Sequence, residues 1–379
     1  SFTIIIPVLY PYAKQFGLSD FQASLLTTAY AASQFIGTPI LGRLSDRLGR
    51  KPLLILSLLG TVIANIMASL APVAWFLFLA RMLDGVTGGN NSIAQAIISD
   101  ITNPAQRTQA FGIFGATFRL GFVAGPPLSY LAQIVPPLPG ISSLGMSFIV
   151  SAAIALIATI LCAVCLPETH QVCETLELSW SDFQIGRILR SIQNPRFGRT
   201  FLVTFLSGFT FTIFTFAFQP FFLNVLDQTA GRLALIFAVF GIIGFMTQVF
   251  GLELLRQRFN IVSILAFMLA ARGVCFLLIP TFPTIPVFIL ITVIFAAVNS
   301  FPLPLLESIL SLRSGPQEQG EVLGTNASFL SLSNAMGPAI AGILVSFGYS
   351  VPFWITGVLT LGVAWFSLSL RELAPAQSS

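Results

Sequence analysis

The residues best placed to do chemistry in this chain are charges in an apolar setting. Arg81 and Asp84 lie inside one long apolar run, Arg119 inside the next, and Arg272 inside a later one. A charge at the centre of a bilayer costs about 2.5–3.5 kcal/mol on insertion scales, so such residues pair, face a cavity or mark an ion path. Arg81 and Asp84 are three apart, which places them on one helix face within pairing reach. Two readings stay open. The pair orients its helix as a structural ion pair, or it faces a cavity and Asp84 carries a proton. In the second case burial favours the neutral acid and the guanidinium favours the carboxylate, and that balance would let the group load and unload. Glu307, the only acid in the tenth apolar run, is a further proton-coupling candidate. It also reads as a snorkelling or loop-facing residue near the run's polar end. Arg119 is expected to face a cavity, towards an anionic group or a partner acid.

Other chemistries find no residues. Cys162, Cys165, Cys173 and Cys275 show neither zinc spacing nor a disulfide framework, and His170 is the only histidine. No metal site is expected. There is no nucleophile–base set and no phosphate loop, so neither an enzyme nor an ATP-driven machine is expected. No cofactor is implied.

The composition specifies the solvent. Charged residues make up 8% and apolar residues 55%, with a mean hydropathy of +0.89. A soluble domain carries about 25% charged residues. Only a bilayer suits this chain. A spanning helix needs about 20 apolar residues. Runs bounded by Gly, Pro and charge predict spans at 1–15, 21–43, 52–71, 74–98, 108–134, 143–166, 200–223, 230–251, 261–280, 284–310, 321–346 and 350–370. The first run is too short for a full span, so the chain is expected to begin inside its first helix, with no cleaved signal peptide. The segment 167–199 holds Glu168, Glu174, Glu177 and Asp182 with Arg187, Arg190, Arg196 and Arg199. It reads as a linker between an N-terminal six-helix bundle, 1–166, and a C-terminal one, 200–371, followed by a tail, 372–379.

Lys and Arg placement orients the spans. Arg43, Arg47, Arg50, Lys51, Arg107, Arg187, Arg190, Arg196, Arg199, Arg256, Arg258, Arg313 and Arg371 fall on one side, against Lys14 and Arg232 on the other. The positive-inside rule places the first side, with both termini and the linker, in the cytoplasm. The halves also repeat. Tyr10-Pro11-Tyr12 recurs as Gln219-Pro220-Phe221, and Gly42 recurs at the same offset as Gly251. Gly112, Gly125 and Pro126 recur at nearly that offset as Gly324, Gly337 and Pro338. Equal order and equal topology make these parallel repeats, with a solute path expected between the halves near the midplane.

The stretch after the second run reads Gly42-Arg43-Leu44-Ser45-Asp46-Arg47-Leu48-Gly49-Arg50-Lys51, expected as a tight turn opened by a glycine that permits close backbone approach. This decapeptide closely resembles the signature loop of the major facilitator superfamily. The likeness extends to Arg81 and Gly85, to Asp100-Ile101-Thr102 and Arg107, to Gly121-Phe122-Val123-Ala124-Gly125-Pro126, and to Leu166-Pro167-Glu168-Thr169-His170. Order and spacing are most similar to the drug–proton antiporter branch, particularly the tetracycline-resistance efflux proteins. The likeness is strong over 1–170 and weak after 199.

The resemblance implies an all-α membrane protein of the major facilitator fold, with twelve transmembrane helices in two six-helix bundles. It implies that Gly42, Asp46, Arg47, Gly49, Arg50, Asp100 and Arg107 form a conformational latch. In that latch Arg50 pairs with Asp100, and Asp46 meets the start of the eleventh helix in the outward-facing state. The second-half copy has Leu255 in place of the acid, so the latch would be one-sided. Gly121, Gly125 and Pro126, with Gly337 and Pro338 in the second half, would be close-packed helix bends typical of exporters. Gln34, Asn90, Asn91, Gln95, Gln219, Asn299 and Asn334 fall on helices that face the central path in the resembled fold. Each is either a cavity wall or an interhelical hydrogen bond. The ninth helix is peripheral in that fold, so Arg272 is expected to snorkel outward. The phenylalanines of the seventh run read as lipid contact and packing, with part of the run lining a pocket. The resembled branch carries an acid in its first helix, at a place that would fall just before Ser1.

The expected function is proton-coupled export of an amphipathic small molecule by alternating access, driven by the proton gradient, from a monomer in the cell membrane. Its partners would be the solute and the lipid bilayer, with no nucleic acid. Uptake or facilitated transport of another solute stays open, as does a non-transporting receptor or scaffold on a carrier fold.

Overall fold

The computed structural model describes residues 2–169, 188, 190–256, 258–315 and 318–373, without the side chains of 104–109, 111–112, 116, 118–119, 252–254, 256 and 372–373. The side chains of Arg107 and Arg119, most of the segment 167–199 with His170, and the tail therefore lie outside the described residues. Within them every regular element is a helix and no strand occurs.

Six spans come from the first half: α1 (Phe2–Gln15), α2 (Asp20–Leu48), α3 (Arg50–Ser69), α4 (Ala74–Thr87) followed by α5 (Asn90–Ile101), α6 (Pro104–Ile134) and α7 (Met146–Cys165). Six come from the second: α8 (Gly198–Pro220), α9 (Ala230–Arg256), α10 (Ile261–Thr281), α11 (Ile285–Asn299) followed by α12 (Pro302–Arg313), α13 (Gln319–Ser346) and α14 (Val351–Ser367). By length and composition alone eight of the described spans are long and apolar enough to cross a membrane. Among the described residues large apolar side chains are exposed and several polar ones are buried. Phe250, Phe267 and Trp365 are exposed, while Arg81, Asp84, Ser147, Thr200 and Arg272 are buried.

Local chemistry sets the helix ends. Ser19 caps α2 through a reciprocal box, with Gln22 N–H donating to Ser19 Oγ and Ser19 N–H to Gln22 Oε1. Asp20 in the first turn accepts from Tyr10 Oη at 2.6 Å and pairs with Lys14 at 2.9 Å, which ties α1 to the start of α2. Asn260 caps α10 by accepting from Val262 N–H. After Pro220, α8 continues as a π turn over Phe221–Val225, where Leu226 N–H donates to Phe221 O.

The chain divides into two compact units, Ser1–Phe183 with Thr229–Ala238 and Gln184–Gln228 with Val239–Ser379. Two helix pairings recur in both: α3 lies along α7 as α10 lies along α14, and α1 along α6 as α8 along α13. The repeat reaches single atoms. Thr3 Oγ1 donates to Gly121 O at 2.7 Å, and at the matching place of the second unit Thr212 Oγ1 donates to Ser333 O at 3.1 Å. A Cβ at Gly125 would collide with Thr3, and one at Gly337 with Thr212. Both glycines therefore serve close helix contact, whereas a Cβ at Gly121 would meet nothing within 4 Å. Both α6 and α13 continue as helix through Pro126 and Pro338.

Two expected spans are corrected. The run 74–98 is broken at Gly88-Gly89 between α4 and α5, and the run 284–310 at Ser300-Phe301 between α11 and α12. The breaks share the offset that relates Gly125-Pro126 to Gly337-Pro338, so they belong to the repeat. A third correction concerns the decapeptide. It is not a turn: α2 runs on to Leu48, α3 begins at Arg50, and Gly49 alone reverses the chain at φ +95°.

Candidate functional site

The fourth span carries the Arg81–Asp84 pair, and its neighbours hold it closely. A Cβ at Gly85 would run into Tyr30 and Ser33 of α2, and one at Gly37 of α2 into the backbone at Val86. On the other side a Cβ at Gly60 of α3 would strike Thr87. Small residues of this kind let helix backbones touch where lipid offers no hydrophobic drive. The carbonyls freed by the break find side chains. Ser57 Oγ donates to Thr87 O, and Gln34 Nε2 donates to Gly88 O at 3.2 Å.

Between α2, α3 and α4 lies a buried polar cluster. Arg81 Nη1 meets Asp84 Oδ2 at 2.9 Å, and the two residues are 2% and 6% exposed. The Arg81 guanidinium sits over the Tyr30 ring, 4.4 Å from its centroid. The Thr61 side chain of α3 faces the carboxylate. Arg81 Nε–H has no hydrogen-bond acceptor among the described residues. Tyr30 Oη accepts from Gln34 Nε2 at 3.2 Å. Tyr30 and Thr61 carried no signal in the sequence beyond lying in apolar runs, because their helices' facing was not readable there.

At the α3 start, Arg50 gathers three helices. Its Nε donates to Asp100 Oδ2 on α5 at 3.0 Å, its Nη1 donates to Ser45 Oγ on α2 at 2.7 Å, and Nη1 also forms an ion pair with Asp46. Ser45 in turn donates to Gly42 O. Sequence reasoning named Glu168, just past α7, but gave it no place in the latch. Its two oxygens accept from the backbone N–H groups of Arg50 at 3.0 Å and Lys51 at 3.2 Å. A carboxylate is favoured at a helix N-terminus, where those amides lack helical partners. Only a glycine fits beside it: a Cβ at Gly49 would lie 2.6 Å from Glu168 Oε2. Gly49→Ala is expected to destabilise the protein by about 1–3 kcal/mol, the cost of a glycine-only backbone conformation. Thermal unfolding of the purified protein checks this, and an unchanged midpoint would refute it.

The remaining residues scatter. Gly42 does not make the expected close approach within its unit; the nearest atom to a Cβ there would be Ser92 Oγ at 4.0 Å. Arg47, Asn91, Gln95 and Asn334 are exposed, Asn90 is half-buried, and Glu307 is exposed on α12. Gln219 is buried, with Nε2 near Thr215 O at 3.5 Å.

Arg272 does not snorkel outward. It is 2% exposed inside the second unit. Nη2 donates to Ser207 O, Ser207 Oγ and Thr210 Oγ1 at 3.1–3.2 Å, and Nη1 to Asn299 Oδ1 at 3.3 Å. The physical reason is that α10 is apolar around its whole circumference, so the guanidinium turns to the hydrogen-bond acceptors of α8 and α11. The seventh-span phenylalanine run makes the packing expected of it. Phe214, Phe218, Phe221 and Phe222 are buried, and Phe214 stacks on Phe276 with centroids 4.4 Å apart.

Comparison with known proteins gives consistent matches over the whole chain. Residues 1–181 and 200–379 match the family model described as Major Facilitator Superfamily. Multidrug resistance protein 1 of Bacillus subtilis (strain 168) is 28% identical over 376 residues, covering 98% of this chain and 92% of its own. Tetracycline resistance protein, class E, of Escherichia coli is 30% identical over 352 residues, covering 90% of this chain and 84% of its own. Among solved structures, the human organic anion transporter MFSD10 (TETRAN) superposes with a TM-score of 0.72 at 22% identity, covering 97% of this chain and 95% of that one. At that identity the likeness concerns the fold.

Proposed function

Because this chain belongs to the Major Facilitator Superfamily, we propose that it exports an amphipathic small molecule in exchange for protons, by alternating access. As a member it is an integral multi-pass membrane transporter, of a family whose members are not enzymes. Curated relatives named for multidrug and tetracycline resistance favour export. The single observation that carries proton coupling is the buried Arg81–Asp84 pair in the broken fourth span. An ion pair enclosed by three helices has a carboxylate that water cannot screen, beside a guanidinium that can release it to a proton.

The proposed cycle uses two groups of residues. Asp84 takes a proton on one side of the membrane and gives it up on the other. The network of Arg50, Asp46, Asp100 and Glu168 holds the ends of spans two, three, four and six together and is the element whose rearrangement accompanies switching. Both termini and the linker lie in the cytoplasm, on the side of the thirteen basic residues. The protein works as a monomer, with no bound cofactor.

The test uses inside-out vesicles containing the full-length protein, with an acidified lumen. Cationic, zwitterionic and anionic drugs are added while lumenal pH is followed. A compound that makes the lumen lose protons only when the protein is present is the expected result. A labelled solute that equilibrates without any proton movement would overturn the antiport reading and leave a uniporter.

A further inference from the structure

Two buried arginines of the second unit have only neutral hydrogen-bond partners among the described residues. Arg313 is explained by its place. It lies in the last turn of α12, where the helix dipole favours a cation, and donates to Leu370 O and Thr200 Oγ1. Arg272 has no such place. It lies near the middle of α10, and its acceptors are one carbonyl, two hydroxyls and one amide oxygen. Its Nε–H has no acceptor among the described residues.

The repeat sharpens the contrast. When α3 and α10 are aligned on their first residues, Arg50 and Ile261, Arg272 falls at the place of Thr61. Aligned on their last residues, Ser69 and Thr281, it falls at the adjacent Gly60. Thr61 faces the Asp84 carboxylate, which pairs with Arg81. The first unit thus balances its interior guanidinium with its own acid. At the matching depth the second unit holds a guanidinium, and its span-ten partner is the amide of Asn299. A buried cation whose partners are all neutral is poorly compensated, because hydrogen bonds solvate it without cancelling its charge.

We propose that Arg272 is this chain's recognition point for an anionic group, a carboxylate carried by an aromatic or otherwise apolar body, on the solute it transports. The inference rests on the reading of the chain as a small-molecule carrier and names the solute's charge. Nε and Nη2 form the side-on edge of the guanidinium, which takes a carboxylate by two parallel hydrogen bonds. Among the described residues Nε is without an acceptor, and Nη2 is held by Ser207 and Thr210 of α8. Arrival of the carboxylate exchanges those neutral acceptors for a charged one as α8 moves aside. Asn299 stays on Nη1 and holds the fork in plane. The ring of Phe276, 5.9 Å from the guanidinium, and the Phe214 ring stacked on it make the surroundings apolar, so a charge pair formed there is weakly screened.

Equilibrium binding to the full-length protein in lipid nanodiscs tests this, with empty nanodiscs as the blank. The probes are 2-naphthoate and its uncharged analogue 2-naphthamide. The wild type is expected to bind the carboxylate more tightly than the amide by at least about tenfold, the value of one charge-assisted hydrogen bond. Arg272→Met should abolish that preference, weakening carboxylate binding more than amide binding, and Arg272→Lys should keep part of it. Equal binding of the two probes by the wild type, or a preference that survives Arg272→Met, would overturn the proposal. If Arg272→Met does not fold, Arg272→Lys decides: a reduced preference supports the proposal and an undiminished one overturns it. The assay needs no transport. A protein with the carboxylate preference but no proton-linked flux would sink the antiport reading alone, and one with the flux but no preference would sink this inference alone.

Discussion

Asp84→Asn is expected to reduce proton-driven export to the level of empty vesicles. The carboxylate is enclosed by α2, α3 and α4 and touches Arg81 at 2.9 Å. Removing it deletes the proposed proton carrier and leaves Arg81 buried with only neutral neighbours. Breaking one side of a buried pair costs about 3–5 kcal/mol, so a fall in thermal stability is expected as well. A purely structural pair would also lose activity, through that instability. The double variant Arg81→Met with Asp84→Leu separates the two. Replacing both partners of a buried pair by apolar groups is often neutral or stabilising. If the pair is only structural, the double variant regains both stability and export. If Asp84 carries the proton, the double variant regains stability and stays uncoupled. Normal export by Asp84→Asn under a pH gradient would end the assignment.

The second large effect is expected at Arg50. Its side chain is 9% exposed, that of Asp100 is 21% exposed and that of Asp46 33%. Arg50→Met leaves these two carboxylates without their shared cation. The cost lies between an exposed pair, at most about 1 kcal/mol, and a buried one, about 3–5 kcal/mol. A loss of about 2 kcal/mol follows, which is about thirtyfold in any equilibrium that needs the network intact. Transport should slow by a comparable factor while solute binding changes little, because the network lies at the helix ends, away from the Arg81–Asp84 pair. Asp46→Asn is expected to do the same more mildly, since Arg50 keeps Asp100 and Ser45. Initial export rates and equilibrium solute binding, measured on the same preparations, check both. A large loss of binding with unchanged turnover would contradict the latch role.

The sequence alone made much of this protein legible. Composition identified the solvent, apolar runs located the twelve spans, and landmarks recurring at a near-constant offset announced the repeat. The contacts of Thr3 with Gly121 and of Thr212 with Ser333 give that repeat an atomic form. The Arg81–Asp84 contact followed from a spacing of three, because local helix geometry brings such residues together whatever surrounds them. Helix facing was not legible. In a soluble protein polar residues mark the outer face. Here lipid and core are both apolar, so α10 reads the same on every side and the direction of Arg272 could not be inferred. The breaks at Gly88-Gly89 and Ser300-Phe301 were hidden for a related reason. An apolar run gives no warning of interruption when the freed carbonyls are satisfied by side chains from other helices, as Ser57 and Gln34 do here. The sequence by itself determined the class, the approximate places of the helices and the contacts between near neighbours in the chain. Only the tertiary structure decided which charges are enclosed, that Glu168 caps the distant start of α3, and that Arg272 turns inward, because each depends on partners brought from helices far away in the chain.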